Sequence, residues 1–169
     1  MNFSFRNNHG YTLIEMLVVI FILGVLSTIM VVSLRNAREK AMIAKVSVEL
    51  NQIFNALLIM EDDTKQWPGH KVPYRVELAT GNEICDDGCA YSLSDCRAGL
   101  LCDDPGTPYQ RWDGPYLKGA PSDPWGNEYF FDTDYNIDGD MYAVIGSYGP
   151  DGTGNNEYNS DDILFELAK

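Results

Sequence analysis

From Met16 to Leu34 the chain carries no charged residue and is predominantly apolar. A hydrocarbon core about 30 Å thick needs roughly 20 apolar residues as helix, so this run is long enough to cross a bilayer. It has only two stable destinations: lipid, or the same surface on other copies of itself. Glu15 stands directly before the run. A charge at the bilayer centre costs about 2.5 to 3.5 kcal/mol, so a carboxylate at or inside the edge of a span calls for a partner. Beyond the span the helical pattern continues, with Ile43, Val46, Leu50, Ile53, Leu57 and Met60 at spacings of three and four. No proline interrupts Tyr11 to Glu61. One continuous helix of roughly 75 Å is predicted, apolar all round in its first half and amphipathic in its second. Gly24, Ser27 and Thr28 permit close approach of helices in lipid.

The remainder is the size of one small globular domain. The chain holds 12 Lys+Arg against 25 Asp+Glu, a net charge of -13, and the acids concentrate from Glu61 onward. That sign excludes nucleic acid and anionic lipid as partners of the soluble part and suits cations. Four cysteines, Cys85, Cys89, Cys96 and Cys102, fall in one short segment with C-x3-C-x6-C-x5-C spacing. Neither close pair is a CxxC, and no histidine lies near, so two disulfides in an exported domain are expected rather than zinc, with the pairing left open. The two histidines, His9 and His70, stand apart, and no nucleophile and base pattern or phosphate loop occurs. No enzyme activity is expected.

The leader MNFSFRNNHG is polar, contains Arg6 and no acid, and ends in glycine directly before the apolar segment. A secretory signal has its cleavage site on the other side of the apolar region. The basic stub, the Gly10/Tyr11 junction, Glu15 and the long apolar helix together resemble the prepilin signature of type IV pilins and type II secretion pseudopilins. The resemblance implies cleavage after Gly10 by a prepilin peptidase and methylation of the new amine on Tyr11. It also implies a partner for Glu15 in assembly, the amine on Tyr11 of a neighbouring subunit. The cations Arg35, Arg38, Lys40 and Lys45 follow the span while Arg6 precedes it, which by the positive-inside rule alone would keep the large part of the chain inside. The cysteines and the leader argue for export.

Trp67-Pro68-Gly69 is expected to break the helix, and residues 70 to 113 show little periodicity. The segment GPYLKGAPSDPWGNEYFFD, from Gly114, resembles the corresponding segment of the major pseudopilins of type II secretion systems. Pro121, Pro124 and Gly126 mark turns, with Asp123 to Gly126 a structural corner around a buried indole. Glu128 to Phe131 and Met141 to Ile145 read as strands of an antiparallel meander. The resemblance covers the N-terminal helix and the last 55 or so residues. The Cys85 to Cys102 segment reads as an insertion, either a stapled surface loop or a recognition surface on the outside of a fibre.

Two stretches are candidate cation sites. In SYGPDGTGNNEYNSDDI, from Ser147, the resemblance implies a calcium loop with Asp151, Asp161 and Asp162 as carboxylate ligands and the carbonyls of Tyr148 and Asn159 as backbone ligands. Ca2+ takes six to eight oxygens, which carboxylates and main-chain carbonyls of a Gly-rich loop supply. In DTDYNIDGD, from Asp132, the residues Asp134, Asn136, Asp138 and Asp140 reproduce the first half of an EF-hand loop, but the twelfth position would be Ile145. It is either a hairpin turn or an additional Ca2+ loop completed by a distant acid.

The expected fold is α+β, the type IV pilin-like lollipop: a long N-terminal helix packed on a small antiparallel β-sheet with a disulfide-stapled loop region. The expected organisation is a leader over 1–10, a transmembrane or filament-core half-helix over 11–34, and an amphipathic half over 35–62. A variable cysteine-containing region over 63–113 and a sheet with calcium loop over 114–169 complete it. The function implied is a structural subunit of a type II secretion pseudopilus. Its partners would be copies of itself, the prepilin peptidase, other pseudopilins and an inner-membrane assembly platform. It would sit as a single-pass protein in the inner membrane with its C-terminal domain exported, and in a periplasmic or cell-surface filament after assembly. The rival readings are a type IV pilin for adhesion, motility or DNA uptake, and a monomeric membrane-anchored calcium-binding domain.

Overall fold

The computed structural model describes residues 10–76, 84, 92–119, 122–154 and 156–169. The elements are a helix α1 (Leu13–Thr64), single turns of 3-10 helix at Pro68–His70, Cys96–Ala98 and Gly149–Asp151, and strands β1 (Phe130–Ile137), β2 (Asp140–Ser147) and β3 (Ile163–Ala168). By its contacts the chain divides into two units, the first ending at Ala41 and the second running Met42–Lys169.

In the first unit α1 is wholly exposed, predominantly apolar and uncharged from Met16 to Leu34, and it is the one helix among the described residues long and apolar enough to cross a membrane. Ser27 and Thr28 return their hydroxyls to the carbonyls of Leu23 and Val25 at 2.7 Å, which satisfies them without an outside partner.

In the second unit the helix buries the predicted stripe residues Val46, Leu50, Ile53, Leu57 and Met60, and Ala56 beside them. Ile43 is the exception at 42 % exposed. The helix ends at Thr64, before the predicted break, because Lys65 turns into the left-handed region at φ 59°. The Thr64 hydroxyl closes the last turn on the Met60 carbonyl at 2.7 Å. Trp67 then folds back into the core, its Nε1 donating to Glu61 at 2.9 Å.

The three strands form one antiparallel sheet in the order β1-β2-β3. Phe131, Ala143 and Ile145 face the helix stripe, and Phe54 of α1 packs on Phe165 of β3 with ring centroids 4.4 Å apart. Tyr129 donates its hydroxyl to Glu49 of α1 at 2.6 Å. On the other face Phe130, Tyr135, Val144 and Tyr148 make a second, smaller cluster. The sheet corrects the sequence reading in two ways. β1 runs on through the acidic stretch to Ile137, with a register shift between Asp132 and Tyr135, and a third strand follows the C-terminal loop. The β1–β2 connection is the two-residue turn Asp138-Gly139, at φ 54° and 93°, with Ile137 opposite Asp140.

The middle region is also corrected. Cys96 and Cys102 are joined by a disulfide, and the loop they close is part of the core. Ala98 and Leu100 are fully buried, along with Leu93 and Tyr109. Leu100 accepts the N–H groups of Tyr116 and Leu117 at 2.8 and 3.0 Å, and the Trp112 indole donates to the Gly99 carbonyl at 2.7 Å. Among the described residues the bond staples a loop whose apolar residues Ala98 and Leu100 seat as a plug against the helix stripe. Cys85 and Cys89 lie outside the described residues. Leu100→Ala is expected to lower the stability of this unit by about 2 to 5 kcal/mol, as deletion from a packed core does. Thermal unfolding measures it; an exposed loop position would change by about 0.5 kcal/mol or less.

Candidate functional site

The N-terminal candidate residues begin with Gly10 and Tyr11, both exposed and outside the helix, so the peptide bond between them is open to a processing enzyme. Thr12 is the helix N-cap. Its backbone N–H and its hydroxyl both donate to Glu15 Oε2 at 2.7 Å, while its Oγ1 accepts the Glu15 N–H at 3.3 Å. This is a reciprocal capping box, legible in the sequence as Thr-x-x-Glu and overlooked there in favour of the charge alone. Within a single chain, then, Glu15 already has a partner, one residue beyond the Tyr11 amine that cleavage would create.

The second candidate lies in the loop from Tyr148 to Asp162, between β2 and β3. Gly149 turns the chain at φ 63°, where a Cβ would overlap the main-chain carbonyl of Asp161; that contact brings the two ends of the loop together. Asp151 and Asp161 then meet across it, the Asp151 N–H donating to Asp161 Oδ2 at 3.2 Å. Asp151 accepts the Thr153 N–H at 2.8 Å, which holds its carboxyl below the ordinary range. Asn159 donates its side-chain amide to the Thr153 carbonyl at 2.9 Å, and its own carbonyl accepts the Asp162 N–H at 3.3 Å.

Asp162 differs from its neighbours because it is buried, 8 % exposed. Its Oδ2 accepts the Asn159 N–H at 2.7 Å and the Tyr135 hydroxyl at 2.8 Å. Its Oδ1 is buried without a hydrogen-bond partner and faces Gly154, where a Cβ would come within 2.9 Å. Burial, reinforced by the charges of Asp161 and Asp151, pushes the Asp162 carboxyl above the ordinary range against the pull of its two donors. A buried, bare carboxylate oxygen costs free energy unless a donor or cation meets it. The donor set fits a hard cation: all oxygens, three carboxylates and main-chain carbonyls. Among the described residues no three acidic, histidine or cysteine side chains already converge at ligand distance, so Asp151 and Asp161 would have to exchange loop amides for the ion.

The other acidic candidates are placed differently. Asp134, Asn136, Asp138 and Asp140 are spread over the end of β1, the turn and the start of β2. Asn136 Oδ1 accepts the Gly139 N–H at 2.8 Å, and Asp140 pairs with Lys169 at 2.7 Å. Asp134 is buried, and the Asn156 side chain, once its amide oxygen and nitrogen are interchanged, donates to Asp132 Oδ2 at 2.7 Å and Asp134 Oδ1 at 3.2 Å.

Asp123 was missed as a key residue. The corner it opens holds a half-buried Trp125, and it is Asp123 that is buried, at 4 % exposed. Its Oδ1 accepts the N–H groups of Trp125, Gly126 and Asn127 at 2.8 to 3.0 Å; its Oδ2 accepts the Ser147 hydroxyl at 2.7 Å. Ser147 Oγ in turn accepts the Gly149 N–H at 3.1 Å, and the Asn127 amide donates to the Gly149 carbonyl at 3.0 Å. The corner thus clamps the entrance of the candidate cation loop. The signal was present, since aspartate ahead of Pro-Trp-Gly is the sequence of a side-chain-capped turn. Asp123→Ala strands three backbone donors and is expected to cost at least about 3 kcal/mol, read as a lowered midpoint in chemical unfolding.

His70, the histidine among the described residues, faces Gln66 at 3.0 Å and Asp104 at 3.3 Å and stacks on Tyr109. That arrangement fixes loops to the end of α1.

Two segments of the chain match family models. Residues 5–31 match the prokaryotic N-terminal methylation motif, and residues 94–166 match type II secretion system (T2SS), protein G. The second match begins ahead of Cys96, so its range takes in the Cys96–Cys102 plug. Among curated proteins, the type II secretion system core protein G of Vibrio cholerae serotype O1 is 29% identical over 161 residues, 94% of this chain and 91% of its own. That of Aeromonas hydrophila is 30% identical over 124 residues, 73% of this chain and 72% of its own. Among solved structures, the major pseudopilin from the type 2 secretion system of enterohaemorrhagic Escherichia coli aligns over 76% of this chain and 86% of that one, with a TM-score of 0.49 and 23% identity. The leader motif at one end, the protein G segment at the other, and relatives aligned along most of their length place the chain in the type II secretion system protein G family.

Proposed function

We propose that this chain is a structural subunit of a type II secretion pseudopilus. The observation that carries the reading is the apolar surface of α1 in the first unit, exposed on all sides from Leu13 to Leu34, in a chain whose second unit has a core of its own. Water does not tolerate such a surface, and lipid and the same helix of other copies both do. The prepilin peptidase cuts after Gly10 on the inner face of the membrane, and Tyr11 becomes the methylated first residue. Glu15 then leaves its capping partner Thr12 for the ammonium of Tyr11 on a neighbour. Head-to-tail contacts of this kind do not close, and they give an open filament standing on the membrane platform with other pseudopilins.

The loop from Tyr148 to Asp162 holds Ca2+ in this reading, through the carboxylates of Asp151, Asp161 and Asp162 and the carbonyls of Tyr148 and Asn159. The ion supplies positive charge to a cluster that is otherwise mutually repulsive. The bare Asp162 Oδ1 supports it.

Intact mass of the membrane-recovered protein should show loss of residues 1–10 and one added methyl; a full-length, unmodified chain would reject the processing scheme. Glu15→Ala should leave the second unit folded and abolish fibres seen by electron microscopy, whereas normal fibres from that variant would reject the assembly role. The pH dependence of Ca2+ binding has a defined sign. The Asp162 carboxyl lies above its ordinary range in the metal-free chain, so protons compete as pH falls toward that value and affinity should decline on acidification. Calorimetric titration across mildly acidic to neutral pH measures it.

A further inference from the structure

The acidic run from Asp132 has at its centre a residue that neither the hairpin nor the ligand set uses. Tyr135 is fully buried in β1, and its hydroxyl reaches three points of the neighbouring loop: Asp162 Oδ2 at 2.8 Å, the Gly154 carbonyl at 3.0 Å and the Glu157 carbonyl at 3.2 Å. We infer that Tyr135 is a positioning residue for the cation loop, orienting Asp162 so that Oδ2 is committed to the protein and Oδ1 is left for the ion. The inference rests on the calcium reading above.

A phenol has one proton to give. Of the three acceptors the carboxylate is both the nearest and the charged one, so it takes the stronger bond. With the Asn159 N–H on the same atom at 2.7 Å, Oδ2 has two donors and Oδ1 has none, although both sit in the same buried carboxylate. A carboxylate free to rotate would share its donors between its oxygens or turn toward water. This one has both donors on Oδ2, and both of its oxygens lie against Gly154, where a Cβ would come within 2.9 Å of Oδ1 and 3.1 Å of Oδ2.

The support behind the hydroxyl is rigid. The Tyr135 ring stacks on Phe130 with centroids 5.1 Å apart, and Phe130 stacks on Tyr148 at 4.4 Å. One residue along, Asn136 exchanges main-chain hydrogen bonds with the loop, its N–H to Asn156 at 3.2 Å and its carbonyl from Tyr158 at 2.9 Å. Sites built on strands and locked by packing hold their ligands more tightly than sites on loops alone, and removal of such an outer partner typically weakens metal binding about 10- to 100-fold.

The test is Tyr135→Phe in the full-length protein in detergent, with Tyr142→Phe as the control on the adjacent strand. Ca2+ affinity is measured by calorimetry, and thermal unfolding is followed in EGTA and in saturating Ca2+. Tyr135→Phe is expected to weaken Ca2+ binding about tenfold or more and to shrink the Ca2+-induced rise in Tm, with Tyr142→Phe at wild-type affinity. Equal affinity in Tyr135→Phe and wild type, with Tm lowered by the same amount in EGTA and in Ca2+, would overturn the inference and leave Tyr135 as packing. A wild-type chain that binds no Ca2+ would overturn the calcium reading and this inference with it. Should Tyr135→Phe fail to fold, NMR of the wild-type chain labelled with 13C at the tyrosine ζ carbon decides. A Ca2+-dependent shift of the Tyr135 resonance supports the inference, and an unmoved resonance rejects it.

Discussion

The second unit depends on one requirement, that the stripe Val46, Leu50, Ile53, Leu57 and Met60 leave water. An amphipathic helix takes most of its stability from the face it buries rather than from propensity. Two separate pieces of chain cover that face. The sheet supplies Phe131, Ala143, Ile145 and Phe165, and the middle region supplies Leu93, Ala98, Leu100 and Tyr109. The Cys96–Cys102 bond belongs to this arrangement, since the short loop it closes carries its apolar residues inward. Polar ties then fix the register of the pieces: Tyr129 to Glu49, Trp67 to Glu61, and Trp112 to the Gly99 carbonyl.

The loop with the candidate ligands is held by a different kind of interaction. Its entrance is clamped by the buried carboxylate of Asp123, through Ser147 and Asn127, and its exit by the buried carboxylate of Asp162, through Tyr135 and Asn159. The two acids have unlike environments. Asp123 collects three backbone amides on one oxygen and a serine hydroxyl on the other, so its charge is fully met inside the protein. Asp162 is left with one oxygen unmet. A structure that satisfies one buried acid completely and another by half has a stabilising carboxylate in the first case and a candidate ligand in the second.

The first unit obeys the solvent rather than a core. Its side chains are exposed on every side of the helix, and the Ser27 and Thr28 hydroxyls in the apolar run bond back to the helix. Glu15 is the carboxylate bordering the apolar run, and the capping box gives it two donors from Thr12. That internal bond lowers what Glu15 would gain from an outside amine, and a transfer to one would be an exchange of partners rather than the filling of a vacancy.

Periodicity and composition made the helix legible: an uncharged apolar run followed by a stripe at spacings of three and four leaves little else for residues 13 to 60 to do. The leader, the family segment and the acidic C-terminal loop were legible as motifs, because short-range patterns of Gly, Asp and aromatic residues need no tertiary information. What could not be read was where chain distant in sequence comes together. Asp132, Thr133 and Asp134 look like loop residues, yet they form a strand because their burial against the C-terminal loop overrides their low strand propensity. The middle region looked like surface because it lacks a period, yet Leu93, Ala98, Leu100 and Tyr109 enter the core, because irregular chain can deliver single apolar side chains without one. The sequence by itself determined the helix and its two solvents; the tertiary structure decided which buried acid is satisfied and which is not, since that depends on whether a hydroxyl and an amide from elsewhere in the chain arrive on the same oxygen.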